Sequence, residues 1–90
     1  MDLNTLIQDI HRLNHELEQF ERKYGVMSAT FYEAYSAGEE PEDDAWVMDF
    51  EKWAGLYEVW CDRQRAYQEA IQRVRSQHTS LSHIIQPASM

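Results

Sequence analysis

His11 and His15 stand four residues apart, one helical turn, a spacing that lets two imidazoles share a metal ion. The residues between them are Arg12, Leu13 and Asn14, so the glutamate that follows the first histidine in the helical zinc-protease pattern is missing. A solvated pair is the expectation. His78 and His83 come late in the chain and pair with nothing. Cys61 is the only cysteine; nucleophilic work would need a histidine within reach and a lowered thiol pKa, so a buried, inert thiol is expected. A single cysteine also excludes an intrachain disulfide and points to a reducing compartment. The run Glu39-Glu40-Pro41-Glu42-Asp43-Asp44 carries enough carboxylates for calcium but lacks the EF-hand alternation and its central glycine. No glycine-rich phosphate loop occurs. Among sixteen acids the abundance of carboxylates singles out no acid–base pair. The expectation is a protein that is not an enzyme and holds no metal or cofactor.

These residues sit on elements that the apolar spacing defines. Leu3, Leu6, Ile10, Leu13, Leu17, Phe20 and Tyr24 recur at intervals of three and four, one face of a helix, with Ile7 widening the stripe. His11 and His15 fall on the opposite face. Asp2 or Asn4 can cap the start, and Gly25 can take the left-handed conformation that ends the helix. Helix one is expected over 3–24. A short helix over 28–37 follows, with Ser28 as N-cap, Phe31 and Tyr35 on one face, and Gly38 as the stop. A helix this short needs something to pack on. The acidic run is a polar connector whose charges also complement the positive end of the next helix.

Helix three, expected over 43–76, carries Trp46, Phe50, Trp53, Tyr57, Trp60, Gln64, Tyr67, Ile71, Val74, His78 and Leu81 at three-four spacing. A neighbouring column, Val47, Ala54 and Cys61, is made of small residues. That widens the apolar face beyond what helix one alone can cover, so either the short helix or a second subunit fills it. Helix three is also longer than helix one by roughly 15 Å at 1.5 Å per residue. The end from Ile71 to Leu81 is therefore expected to project and to need a partner. Gln64 interrupts the aromatic column, a place where a polar residue commonly sets register or oligomeric state.

Ninety residues with 43% hydrophobic and 27% charged residues make one folded domain, here 1–78, with a flexible tail over 79–90. The fold class expected is all-α: an antiparallel helical hairpin of two long helices with a short helix in the connection, dimerising into a helical bundle. The net charge of −8 and the lack of a basic cluster argue against direct nucleic-acid binding by this chain alone. No secretory leader pattern and no apolar run of about 20 residues is present, so no membrane span is expected and the cytoplasm is the expected location.

The middle of the chain resembles a known family. Tyr24-Gly25-Val26-Met27-Ser28, Phe31-Tyr32-Glu33, Ala37-Gly38-Glu39, the acidic run, and Phe50-Glu51-Lys52-Trp53-Ala54 with Tyr57 look like the short prokaryotic helical proteins of type II toxin–antitoxin loci. The resemblance covers about residues 13–67. The sequence departs from the pattern in the extra Val26 and in Gly55, which weakens helix three by up to about 1 kcal/mol relative to alanine and can reflect a close helix approach. The resemblance implies an antitoxin-like component that neutralises a small toxin encoded beside it.

The function expected is thus a non-catalytic protein-binding module. Its partner-binding residues are expected to be Trp46, Phe50, Trp53, Tyr57, Trp60, Gln64, Tyr67 and Ile71 on the aromatic face, where Trp and Tyr make good anchors, and Glu39, Glu40, Glu42, Asp43 and Asp44 in the acidic run. The alternatives are a homodimeric helical scaffold or adaptor without toxin linkage, and an acidic mimic of nucleic acid.

Overall fold

The computed structural model describes residues 2–77 and 80–85. The chain is all-α. Helix α1 spans Leu3–Tyr24, α2 Ser28–Ser36, α3 Val47–Gln77, and the four-residue turn α4 Leu81–Ile84; a single 3-10 turn, Asp44–Trp46, leads into α3. Among the described residues none lies in a strand, and no helix is long and apolar enough to cross a membrane.

Helix α1 has the boundaries its apolar stripe predicts. Asp2 caps it, accepting from the Thr5 amide at 2.8 Å. Gly25 closes it at φ +76°, a conformation costly for any residue with a Cβ, and donates its N–H to Glu21 O at 2.8 Å. Leu6, Ile10, Leu13 and Leu17 are buried along one face, and His11 and His15 are exposed.

Three boundaries differ from expectation, the smallest being the end of the third helix at Gln77, one residue past 76. The third helix does not begin at residue 43. Asp43 is the N-cap of the 3-10 turn, accepting from Ala45 N at 2.9 Å, and regular α-helix starts only at Val47. The second helix ends at Ser36, with Ala37 as its C-cap, and its N-cap is Met27, not Ser28. Ser28 is the first helical residue and is buried. The expected tail also contains structure, since Leu81–Ile84 forms a turn of helix; His78, Thr79 and residues 86–90 lie outside the described residues.

Helices α1 and α3 lie side by side, and the contacts on α3 advance as those on α1 recede. Lys23 Nζ donates to Asp49 at 2.6 Å, Trp60 Nε1 to Asn14 Oδ1 at 2.7 Å, and Arg63 Nε reaches Asp9 at 3.4 Å. Helix α2 covers α1 and α3 at one end only, where Leu17, Phe31, Trp53 and Ala54 form the buried cluster. The molecule therefore has a three-helix head, built from α2, the acidic connector and the parts of α1 and α3 beneath them. Its foot has two long helices plus the α4 turn. The principal extents, 51 × 29 × 20 Å, reflect that elongated shape.

Candidate partner-binding surface

Trp53 organises the head. It is fully buried, with the Phe31 ring stacked on it at 3.8 Å and 3° between planes. Phe20 and Tyr24 of α1 stack more loosely at 5.7 and 5.6 Å. Its indole N–H donates to Ser28 Oγ at 2.9 Å. Ser28 in turn donates its hydroxyl and its backbone N–H to Glu21 Oε2, at 2.7 and 3.0 Å. One serine thus ties all three helices together. A buried donor needs a partner, and Ser28 supplies it. Trp53 was expected among the partner-binding residues; the structure corrects this, because a ring enclosed on both faces presents nothing to another molecule.

The other stripe residues divide by position along α3. Trp46, 37% exposed, stands at the top of the head. It stacks on Phe50 at 6.1 Å and meets Tyr24 edge-on at 5.8 Å. Phe50 is half-buried and meets Phe31 edge-on at 5.0 Å. Tyr57 and Trp60 stack at 5.6 Å where the head passes into the foot, both half-buried. Gln64, Tyr67 and Ile71 are half-buried in the foot. The stripe is therefore not one continuous surface: Trp53 closes its middle.

Two adjoining recesses open on the head. One is bordered by Phe31, Tyr35, Trp46, Phe50, Pro41, Glu39, Glu40 and Glu42. The other is bordered by Tyr35, Phe50, Val47, Pro41, Glu39, Glu40, Asp44 and Glu51. Aromatic walls and carboxylate rims thus share the same space. Glu39, Glu40, Glu42, Asp44 and Glu51 make no ion pair within the described chain. Asp43 differs from them, since its carboxylate caps the 3-10 turn. Sequence reasoning missed Phe31, Tyr35, Pro41 and Glu51 as parts of this surface. It also missed the exposed apolar side chains on the same head, Met48 at 80% and Met27 at 64% exposure. Phe31 and Tyr35 were visible as a face, but only the fold brings that face up to the acids.

The charge is strongly segregated. Residues 17–60 hold eleven of the sixteen acids and three of the eight Lys and Arg, which equals the whole net charge of −8. One acid of this region is internally matched. Lys23 and the Tyr24 hydroxyl both donate to Asp49, at 2.6 and 2.5 Å, and hold its carboxyl below the usual carboxylate range. Burial pushes the Tyr24 hydroxyl up, helped by the same carboxylate.

The small column also divides. Ala54 is buried under α2, whereas Val47 is 38% exposed and Cys61 half-buried. Cys61 is thus less enclosed than expected. It neighbours Tyr57, whose hydroxyl is raised by burial first and by the thiol second. Gly55 does not mark a close helix approach, for a Cβ built there meets nothing within 4 Å. The end of α3 is not bare either: Leu81, Ile84 and Ile85 border a recess with Leu3, Ile7, Tyr67 and Ile71. Among the described residues no cluster of three or more His, Cys, Asp or Glu could hold a metal ion.

No protein-family model, no curated protein and no solved structure matches this chain.

Proposed function

We propose that this chain is a non-catalytic protein-binding module that takes a basic surface of a protein partner on its acid-rimmed aromatic head. The observation that carries the reading is the joint geometry of the head: aromatic walls from Trp46, Phe50, Phe31 and Tyr35 beside five carboxylates that make no ion pair among the described residues. Desolvating unpaired carboxylates is unfavourable, and a partner's Arg or Lys removes that penalty. A guanidinium also stacks well on aromatic faces, so an Arg-bearing segment suits both parts of the surface. In this reading α1 and α3 act as a hairpin of two long helices that holds the head rigid.

The resemblance to type II toxin–antitoxin proteins gives that partner a class, a small basic toxin neutralised by this chain. Mimicry of nucleic acid is less favoured, because the unpaired acids gather at one end and do not track along a face as phosphates would.

Co-expression with the product of the adjacent open reading frame tests the reading. A 1:1 or higher complex is expected. Replacing Glu39, Glu40 and Glu42 with Gln and Asp44 with Asn should weaken it at least tenfold at low salt, with helicity unchanged. A neighbour that is harmless alone and does not copurify sinks the toxin assignment. An affinity indifferent to both the four substitutions and ionic strength sinks the acidic head as the binding surface.

A further inference from the structure

The acids of this chain fall into two groups. Asp9, Glu16, Glu18, Asp49 and Asp62 each pair with a lysine or arginine. Asp2 and Asp43 cap backbone amides, Glu21 holds Ser28, and Glu58 accepts from the Tyr32 hydroxyl. Among the described residues, the acids left with neither an ion pair nor a hydrogen bond are the exposed Glu33 and Glu69 and the acids that border the two recesses of the head: Glu39, Glu40, Glu42, Asp44 and Glu51. The chain thus matches its carboxylates nearly everywhere except there.

The recesses, of about 480 and 280 Å³, lie side by side, since Tyr35, Phe50, Pro41, Glu39 and Glu40 border both. Beyond that common wall each has an apolar face and carboxylates of its own. The smaller adds Phe31, Trp46 and Glu42; the larger adds Val47, Asp44 and Glu51. Neither is bordered by a lysine or an arginine.

This arrangement suits guanidinium over ammonium. A guanidinium is planar and weakly hydrated, so it lies on a ring face while its edge donates to carboxylates. An ammonium is strongly hydrated and gives up more on entering an apolar recess. Charge sets the number of cations. One arginine seated in either recess would leave the carboxylates peculiar to the other still unmatched under the partner.

Resting on the reading of the head as the site for a basic protein surface, we propose that it takes two nearby arginines of one partner segment, one guanidinium in each recess. Carrying both on one segment makes the second contact intramolecular, so the pair binds far more tightly than a single arginine. Trp46, the most open of the rings, is the residue that separates arginine from lysine, because a guanidinium stacks on it and an ammonium cannot.

Isothermal titration of the full chain with short capped Gly/Ser peptides tests the inference. The peptides carry one arginine, two arginines at graded spacings, or two lysines at the same spacings. At the optimal spacing the arginine pair should bind about tenfold or more tighter than the single arginine, and about threefold or more tighter than the lysine pair. Asp44→Asn with Glu51→Gln strips the larger recess of its own carboxylates and should bring the arginine pair to within about threefold of the single arginine. Trp46→Leu should shrink the difference between arginine and lysine, with far-UV circular dichroism as the fold control for every variant. Glu33→Gln with Glu69→Gln, which removes the unmatched acids outside the recesses, should leave all affinities unchanged. An arginine pair no tighter than a single arginine at any spacing, or a lysine pair as tight as the arginine pair, overturns the proposal and leaves the basic-surface reading standing. Absence of binding by every peptide also overturns it. Binding weakened as much by the Glu33 and Glu69 changes as by those at Asp44 and Glu51 sinks the basic-surface reading as well, for the charge of the whole chain and not the head would then be the attraction.

Discussion

Ser28→Ala should destabilise the fold far more than the loss of a helix cap. Ser28 Oγ donates to Glu21 and accepts from Trp53, and the residue is 3% exposed. The substitution removes a hydrogen bond to a carboxylate, typically about 1.5–3 kcal/mol, and strands the Trp53 indole N–H, typically about 1–3 kcal/mol. The carboxylate keeps the Ser28 backbone N–H at 3.0 Å, so no third penalty is added, and because both losses share one hydroxyl the expected total lies in the lower part of their sum, about 2.5–4 kcal/mol. At about 4–8 °C per kcal/mol for a domain of this size, Tm should fall by roughly 10–32 °C. A capping serine would behave otherwise: alanine would cost about 1 kcal/mol, and aspartate, an equally good N-cap, would be tolerated. Here Ser28→Asp should be at least as damaging as alanine, because it places a second carboxylate against Glu21 and cannot donate to it. Urea unfolding followed by circular dichroism, extrapolated linearly to water, gives the comparison. A double-mutant cycle with Trp53→Phe should show coupling above about 0.5 kcal/mol. A Ser28→Ala loss near 1 kcal/mol together with a wild-type-like Ser28→Asp would refute the buried relay.

Other outcomes follow from neighbouring features. Gly55→Ala should stabilise the protein by about 0.5–1 kcal/mol in the same urea assay, since the added Cβ meets open space within a regular helix. Asp49 is held in its charged form chiefly by Lys23 and then by Tyr24. A depressed carboxyl pKa contributes stability above the ordinary carboxylate value, and that contribution is lost as pH falls through the depressed one. Thermal unfolding from pH 6 to pH 2 should therefore show an acid limb that Asp49→Asn flattens. Trp46 should be quenched by acrylamide and replaceable by Phe at a cost below about 1.5 kcal/mol. Trp53→Ala, by contrast, should cost about 3–5 kcal/mol and expose the remaining rings.

Local sequence sufficed for α1 because everything that defines that helix is local: the three-four stripe, the Asp2 cap and Gly25 all lie within a few residues of what they act on. The place of α2 between Gly25 and Gly38 was legible in the same way, but its N-cap and last residue were not. The start of α3 was harder, since Asp43, Asp44 and Pro41 favour helix initiation without distinguishing a 3-10 turn from an α-helical one. Ser28 shows where local reading fails. Its type and place suit an N-cap, yet its partners are seven residues back and twenty-five ahead, and only packing brings them together. The tryptophans fail for a related reason. Trp46, Trp53 and Trp60 share one column, but α2 covers only part of it, so a repeat of seven cannot tell the enclosed ring from the open one. The proposed binding surface was half legible: the acids were evident in sequence, while the aromatic walls beside them come partly from α2.

The serine that joins three helices also has a kinetic meaning. Helix α2 has nine residues and little stability of its own, and its main anchors, the Phe31 ring and the Ser28 hydroxyl, both meet the same indole. Releasing α2 must therefore uncover Trp53 in the same event. Native-state hydrogen exchange should find the α2 amides and the Trp53 indole N–H opening together, as one cooperative unit below the free energy of global unfolding. A ligand seated on the head would slow both by the same factor.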